Sequence, residues 1–173
     1  MPRRTSNLLI SLAVLVSLSA CSKSRGGANG LAPPEGAVSS ASVVKASADA
    51  VQIPAGNSAN ATVHLTIQAG YHLNANPASE SYLRATELLV EPTDGISVGF
   101  ITYPTGITKA FSFSKKPLAV YEGETTIKVM LKAASSASKG QRSFPTKLNI
   151  QACDDQVCYP PAVVELKIPV TVN

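Results

Sequence analysis

Apolar and polar residues alternate along most of the chain beyond about residue 42. Examples are Val63-x-Leu65-x-Ile67, Ile127-x-Val129-x-Leu131, Leu148-x-Ile150-x-Ala152 and Val164-x-Leu166-x-Ile168-x-Val170, with Thr62, His64, Thr66, Lys128 and Lys132 among the polar positions. A period of two sends successive side chains to opposite faces, so each segment predicts a strand with one face on a core and the other in water. Turn-forming clusters separate the segments: Pro54-Ala55-Gly56-Asn57, Gln68-Ala69-Gly70, Thr93-Asp94-Gly95, Glu122-Gly123 and Lys139-Gly140. No stretch carries a 3.6-residue period with caps at both ends. Several short strands at this spacing predict an all-β domain, an antiparallel β-sandwich of immunoglobulin-like type. The chain has no Trp, so the buried tryptophan of antibody domains is missing and the likeness is one of architecture.

The N-terminus departs from this pattern. Arg3 and Arg4 precede an apolar run, Leu8 to Leu18, that leads into Leu18-Ser19-Ala20-Cys21. The run is about half of the roughly twenty residues needed to cross a bilayer, so residues 1–20 read as a secretory signal peptide rather than a transmembrane anchor. The Leu-Ser-Ala-Cys ending resembles the lipobox of bacterial lipoproteins. That resemblance implies that Cys21 is lipidated, becomes the first residue of the mature chain and fixes it to a bacterial membrane, facing the periplasm. Ser22 after Cys21 is compatible with sorting to the outer membrane of a Gram-negative cell. Residues 21–41 are rich in Gly, Ser, Ala and Pro, too poor in apolar surface to offset the entropy of ordering, and read as a flexible tether. Residues 42–173 then form one domain, expected to be a monomer.

Removing the leader takes Arg3 and Arg4 from the count, and the formal net charge falls from +4 to +2, 13 basic minus 11 acidic residues. The remaining lysines are scattered, which argues against a nucleic-acid partner. No Ser-His-Asp set, Gly-rich phosphate loop or paired-carboxylate arrangement emerges, and no cofactor is expected.

With Cys21 committed to lipid, Cys153 and Cys158 remain in an exported chain, where an even number of cysteines points to a disulfide. A metal site is not expected, since two sulfurs with no neighbouring His fall short of four ligands. A bridge across so few residues removes little entropy from the unfolded chain, on the order of 2 kcal/mol, which argues modestly for exchange chemistry over stapling. From spacing alone, a structural bridge and a redox pair both stay open. Asp154 and Asp155 disfavour a thiolate beside them, so the pair reads as one acted on by a partner's thiol, and at least one of the two aspartates is expected to cap the turn. Pro160 and Pro161 remove two backbone donors and hold the chain extended past the cysteines. His64, on the polar face of a strand, reads as a solvated surface residue.

The string Gln151-Ala152-Cys153-Asp154-Asp155-Gln156-Val157-Cys158-Tyr159-Pro160-Pro161 closely resembles the cysteine motif of the amino-terminal periplasmic domain of the thiol:disulfide interchange protein DsbD. Ala69-Gly70-Tyr71-His72-Leu73-Asn74-Ala75-Asn76-Pro77 and Leu118-Ala119-Val120-Tyr121-Glu122-Gly123-Glu124 are similar to two further segments of that family, and the resemblance covers roughly residues 45 to 172. It implies an immunoglobulin-like sandwich whose Cys153/Cys158 pair relays electrons between a membrane-embedded or thioredoxin-like carrier and periplasmic thiol proteins. Cys158 would be the linking position in mixed disulfides. It also implies a cap loop whose aromatic residue shields the pair, with Phe111 and Phe113 as the two candidates, and a pocket lined by Tyr71, His72, Asn74 and Tyr159. The alternative for that segment makes Tyr71 a core anchor and His72 an exposed loop residue. The family's full protein continues into a membrane domain and a thioredoxin-like domain, so this chain is expected to borrow its electron source. The rival expectation is a non-catalytic binding lipoprotein with the bridge as a staple.

Overall fold

The computed structural model describes residues 38–93 and 95–173. Cys21, the expected leader and most of the expected tether lie outside the described residues. In chain order the strands are β1 (Val44–Ala48), β2 (Val51–Ile53), β3 (Ser58–Ile67), β4 (His72–Asn74), β5 (Glu87–Val90), β6 (Ile96–Thr102), β7 (Ile107–Lys109), β8 (Leu118–Tyr121), β9 (Glu124–Ala133), β10 (Gly140–Ile150), β11 (Ala152–Cys153) and β12 (Ala162–Val172). The only helical element among the described residues is a single 3-10 turn, Ser40–Val43, closed by a reciprocal cap between Ser39 and Ser42. Composition assigns Ser40 to the tether, but it is fully buried. Its hydroxyl donates to the Pro160 carbonyl at 2.7 Å and accepts from the Ala152 N–H at 2.9 Å. Because it satisfies two otherwise orphaned backbone groups, the packed part of the chain begins before Ser42.

The strands form an immunoglobulin-like sandwich. One sheet has the order β1-β3-β9-β6, and a second has the order β2-β12-β10-β5, in which β2 pairs parallel to β12 and the rest are antiparallel. The long strands β3, β9 and β10 alternate buried and exposed positions as their sequences require. Val63, Leu65, Ile127, Val129 and Leu131 from the first sheet share one buried cluster with Phe144, Leu148, Ile150, Ile168 and Val170 from the second. Each such side chain contributes roughly 1.5–3 kcal/mol when fully withdrawn from water.

A third, smaller antiparallel sheet, β11-β4-β8-β7, carries the cysteines. Its strands are two to four residues long, and it departs from the simple two-sheet expectation. The alternation Leu148-x-Ile150-x-Ala152 predicts one strand, yet the chain changes sheets at Gln151: Ile150 pairs with Ala162 of β12, while Ala152 pairs with Leu73 of β4. β8 is buried on both faces. Ala119 and Tyr121 look onto the sandwich core, whereas Leu118 and Val120 belong to a separate cluster with Leu83 and Phe111.

Candidate functional site

The site is built on the pairing of β11 with β4, which sets Cys153 directly opposite His72. Side chains opposite each other in a ladder share a face, and so do residues two apart in a strand. Cys153, His72 and Asn74 therefore point the same way, while Leu73 points into the sandwich core. Past Cys153 the chain turns back on itself: the Asp154 N–H donates to the Val157 carbonyl at 2.9 Å and the Tyr159 N–H to the Ala152 carbonyl at 2.8 Å. These bonds bring Cys158 opposite Cys153, and the two sulfurs are joined at 2.00 Å. The cysteines thus bracket a small turn of their own, rather than sitting across a direct hairpin between the two neighbouring long strands.

Asp154 holds that turn. One carboxylate oxygen accepts from the N–H groups of Gln156 and Val157, both at 2.8 Å, and the other accepts from the Tyr159 hydroxyl at 2.6 Å. The Tyr159 hydrogen bond, followed by the two backbone donors, holds the Asp154 carboxyl below the ordinary aspartate range. The same contact pushes the Tyr159 phenol up to about 12. Asp155 faces away, 3.4 Å from the Lys109 ammonium.

A short segment after β7 runs beside the cysteine turn. Phe111 is buried on Leu83, Leu118 and Val120, with Cys158 packed against the same cluster. Phe113 stacks on Phe111 with 5.1 Å between centroids and remains 37% exposed. Of the two aromatic candidates, Phe111 belongs to the buried cluster on which Cys158 packs, and Phe113 lies outside it against Phe111. Ser112 ties this segment to the cysteine turn by donating to the Asp155 carbonyl at 2.8 Å. Cys153 is fully buried, whereas Cys158 is partly exposed.

The polar residues divide around this centre. Asn74 is buried, with its amide oxygen 4.0 Å from the Cys153 sulfur and its amide nitrogen donating to Gln151 at 3.1 Å. His72 is 3% exposed, which corrects the alternative of an exposed loop residue: it lies on β4, opposite Cys153 and against the edge of the Phe111 ring at 5.3 Å. Its Nε2 lies 2.7 Å from Lys109 Nζ and 3.1 Å from Glu122 Oε2, and its Nδ1 is buried without a hydrogen-bond partner. Tyr71 is partly buried against the sandwich core, its ring 6.0 Å from that of Tyr159. His64 is partly exposed on β3 and bonded to Asp49 at 2.8 Å, away from the sheet that carries the cysteines. No group of three or more metal-ligating side chains occurs among the described residues. Cys21 lies outside them.

Sequence patterns pass over three residues that the structure brings to this site. Gln151 accepts from Asn74 and from the Arg84 N–H and donates to the Tyr159 carbonyl. Lys109 and Glu122 reach His72 from β7 and from the turn after β8. Gln151 heads the string that resembles the cysteine motif and Glu122 lies within the second similar segment, which is the signal that could have found them; Lys109 carries none.

The family described as "Thiol:disulfide interchange protein DsbD, N-terminal" matches residues 40–168. Among solved structures, the chain is similar to the DsbD N-terminal domain of Neisseria meningitidis in its reduced form, with 21% identity over 84% of this chain and 94% of that one and a TM-score of 0.49. It is also similar to the N-terminal periplasmic domain of ScsB from Proteus mirabilis, with 16% identity, a TM-score of 0.50 and coverage of 72% of this chain but only 44% of that one. The second likeness is one of fold. No curated protein sequence matches the chain.

Proposed function

We propose, from the premise that this chain belongs to the family of N-terminal domains of the thiol:disulfide interchange protein DsbD, that it is an electron relay working through Cys153 and Cys158. A thiolate of a thioredoxin-like donor attacks the Cys158 sulfur. The intramolecular S–S bond breaks, and Cys153 leaves and takes a proton beside the Asn74 amide oxygen, an acceptor suited to a thiol. The donor's second thiol, as a thiolate, then attacks the donor sulfur of the mixed disulfide. Cys158 leaves and is protonated, and the donor departs as a disulfide. Two electrons and two protons have passed to the domain, which delivers them to an oxidised periplasmic thiol protein by the reverse steps.

The observation that carries this reading is the asymmetry of the pair: Cys153 is fully buried, while Cys158 is partly exposed and packs against the cluster that includes Phe111. Packing of this kind restricts exchange to partners that displace it, and only one sulfur is then open to in-line attack.

The test is the reduction potential of the pair together with a trapping experiment. A potential near roughly −200 to −270 mV, within reach of thioredoxin-like carriers, is expected. Cys153→Ser should accumulate a mixed disulfide through Cys158, and Cys158→Ser should not. A potential well below about −300 mV, with no exchange with thioredoxin, would make the bridge a staple and the domain a binding module.

A further inference from the structure

Besides the Ser112–Asp155 bond, the polar contacts at the root of the segment that carries Phe111 converge on one residue, Lys109, the last residue of β7 and two positions before Phe111. The geometry points to Lys109 as the positioning residue that latches the Phe111 cover shut, through His72 on one side and Asp155 on the other. This rests on the reading that the pair exchanges with partners.

An ammonium can only donate. The 2.7 Å contact therefore requires His72 Nε2 to accept, which places the proton of the neutral ring on Nδ1, the buried atom without a partner. Glu122 lies 3.1 Å from the same Nε2 but can bond it only when that nitrogen carries a proton. One nitrogen thus has two mutually exclusive partners. With a neutral ring it holds Lys109, and Lys109 in turn reaches Asp155 on the cysteine turn at 3.4 Å and lies 5.8 Å from the centroid of Phe111. The charged groups around the ring are Lys109 from β7, Glu122 from the turn after β8 and, through Lys109, Asp155 from the cysteine turn. Cys153 of β11 stands opposite.

The test uses the oxidised full-length chain and a water-soluble phosphine. The phosphine becomes the phosphine oxide with oxygen from water, and the disulfide becomes two thiols. Lys109→Met keeps the apolar stem and removes the donor. Losing one charge-assisted hydrogen bond should uncover the sulfurs often enough to raise the reduction rate about tenfold near pH 8, while Lys109→Arg should stay within about twofold of the parent. Equal rates for the parent and Lys109→Met, or a Lys109→Arg rate as fast as that of Lys109→Met, would overturn the latch. The exchange reading stands or falls separately, on whether the parent is reduced by thioredoxin.

Discussion

At the scale of single residues, Asp154 shows how one side chain can define a reactive turn. Its two oxygens collect a phenol and two backbone donors, each favouring the carboxylate. A carboxyl lowered in the folded state stabilises the turn fully above the ordinary aspartate value of 3.8, and that contribution is lost as the pH falls from there through the lowered value. The Tyr159 phenol is raised, so its share is complete below the ordinary tyrosine value of 10 and is lost as the pH rises toward about 12. Asp154→Asn should therefore return one tyrosine ionisation from about 12 toward 10, read from phenolate absorbance, and should flatten the loss of thermal midpoint below pH 3.8. An unchanged absorbance titration would mean that the Tyr159–Asp154 bond is not populated in solution. The turn was legible from Cys-Asp-Asp because aspartate caps turns by a local mechanism. The resemblance put His72 in the pocket, but its burial was not legible in local pattern, because it depends on a strand partner, Cys153, eighty-one positions later in the chain.

At the scale of elements, the switch of sheets at Gln151 makes the site possible. It lifts Ala152 and Cys153 away from the ladder with β12 and onto β4, and the Gln151 side chain bonds the groups left at the junction: the Asn74 amide, the Arg84 N–H and the Tyr159 carbonyl. Gln151→Ala should cost about 1–3 kcal/mol, the penalty for polar groups that lose partners in a partly buried place, seen as a lowered urea midpoint with an unchanged slope. A loss below a few tenths of a kcal/mol would mean that water replaces the amide without cost. Alternation could not reveal this switch, since Leu148, Ile150 and Ala152 keep the same burial period through it. A period of two records which side of a strand is buried and says nothing of which sheet buries it. For the same reason the long strands were legible, while β4, β7 and β11, too short to show a period, were not.

At the scale of the whole molecule, stability and chemistry occupy different parts of the fold. Phe144 is fully buried at the centre of the sandwich cluster, and Phe144→Ala should lower the unfolding free energy by about 3–5 kcal/mol through lost transfer energy and the cavity left behind, measured by urea titration. A loss under 1 kcal/mol would mean that the two sheets close over the gap. The architecture was readable in advance because the alternating strands and their turns are local signals. The third sheet arises from contacts among distant short segments. β8 divides the molecule, with Ala119 and Tyr121 on the sandwich side and Leu118 and Val120 on the cysteine side. A substitution at Phe111 works on the far side of this wall from the residues that decide whether the protein melts. The surroundings of the disulfide and the durability of the scaffold can therefore drift apart over generations, each retuned by its own set of amino-acid changes while the other is left intact.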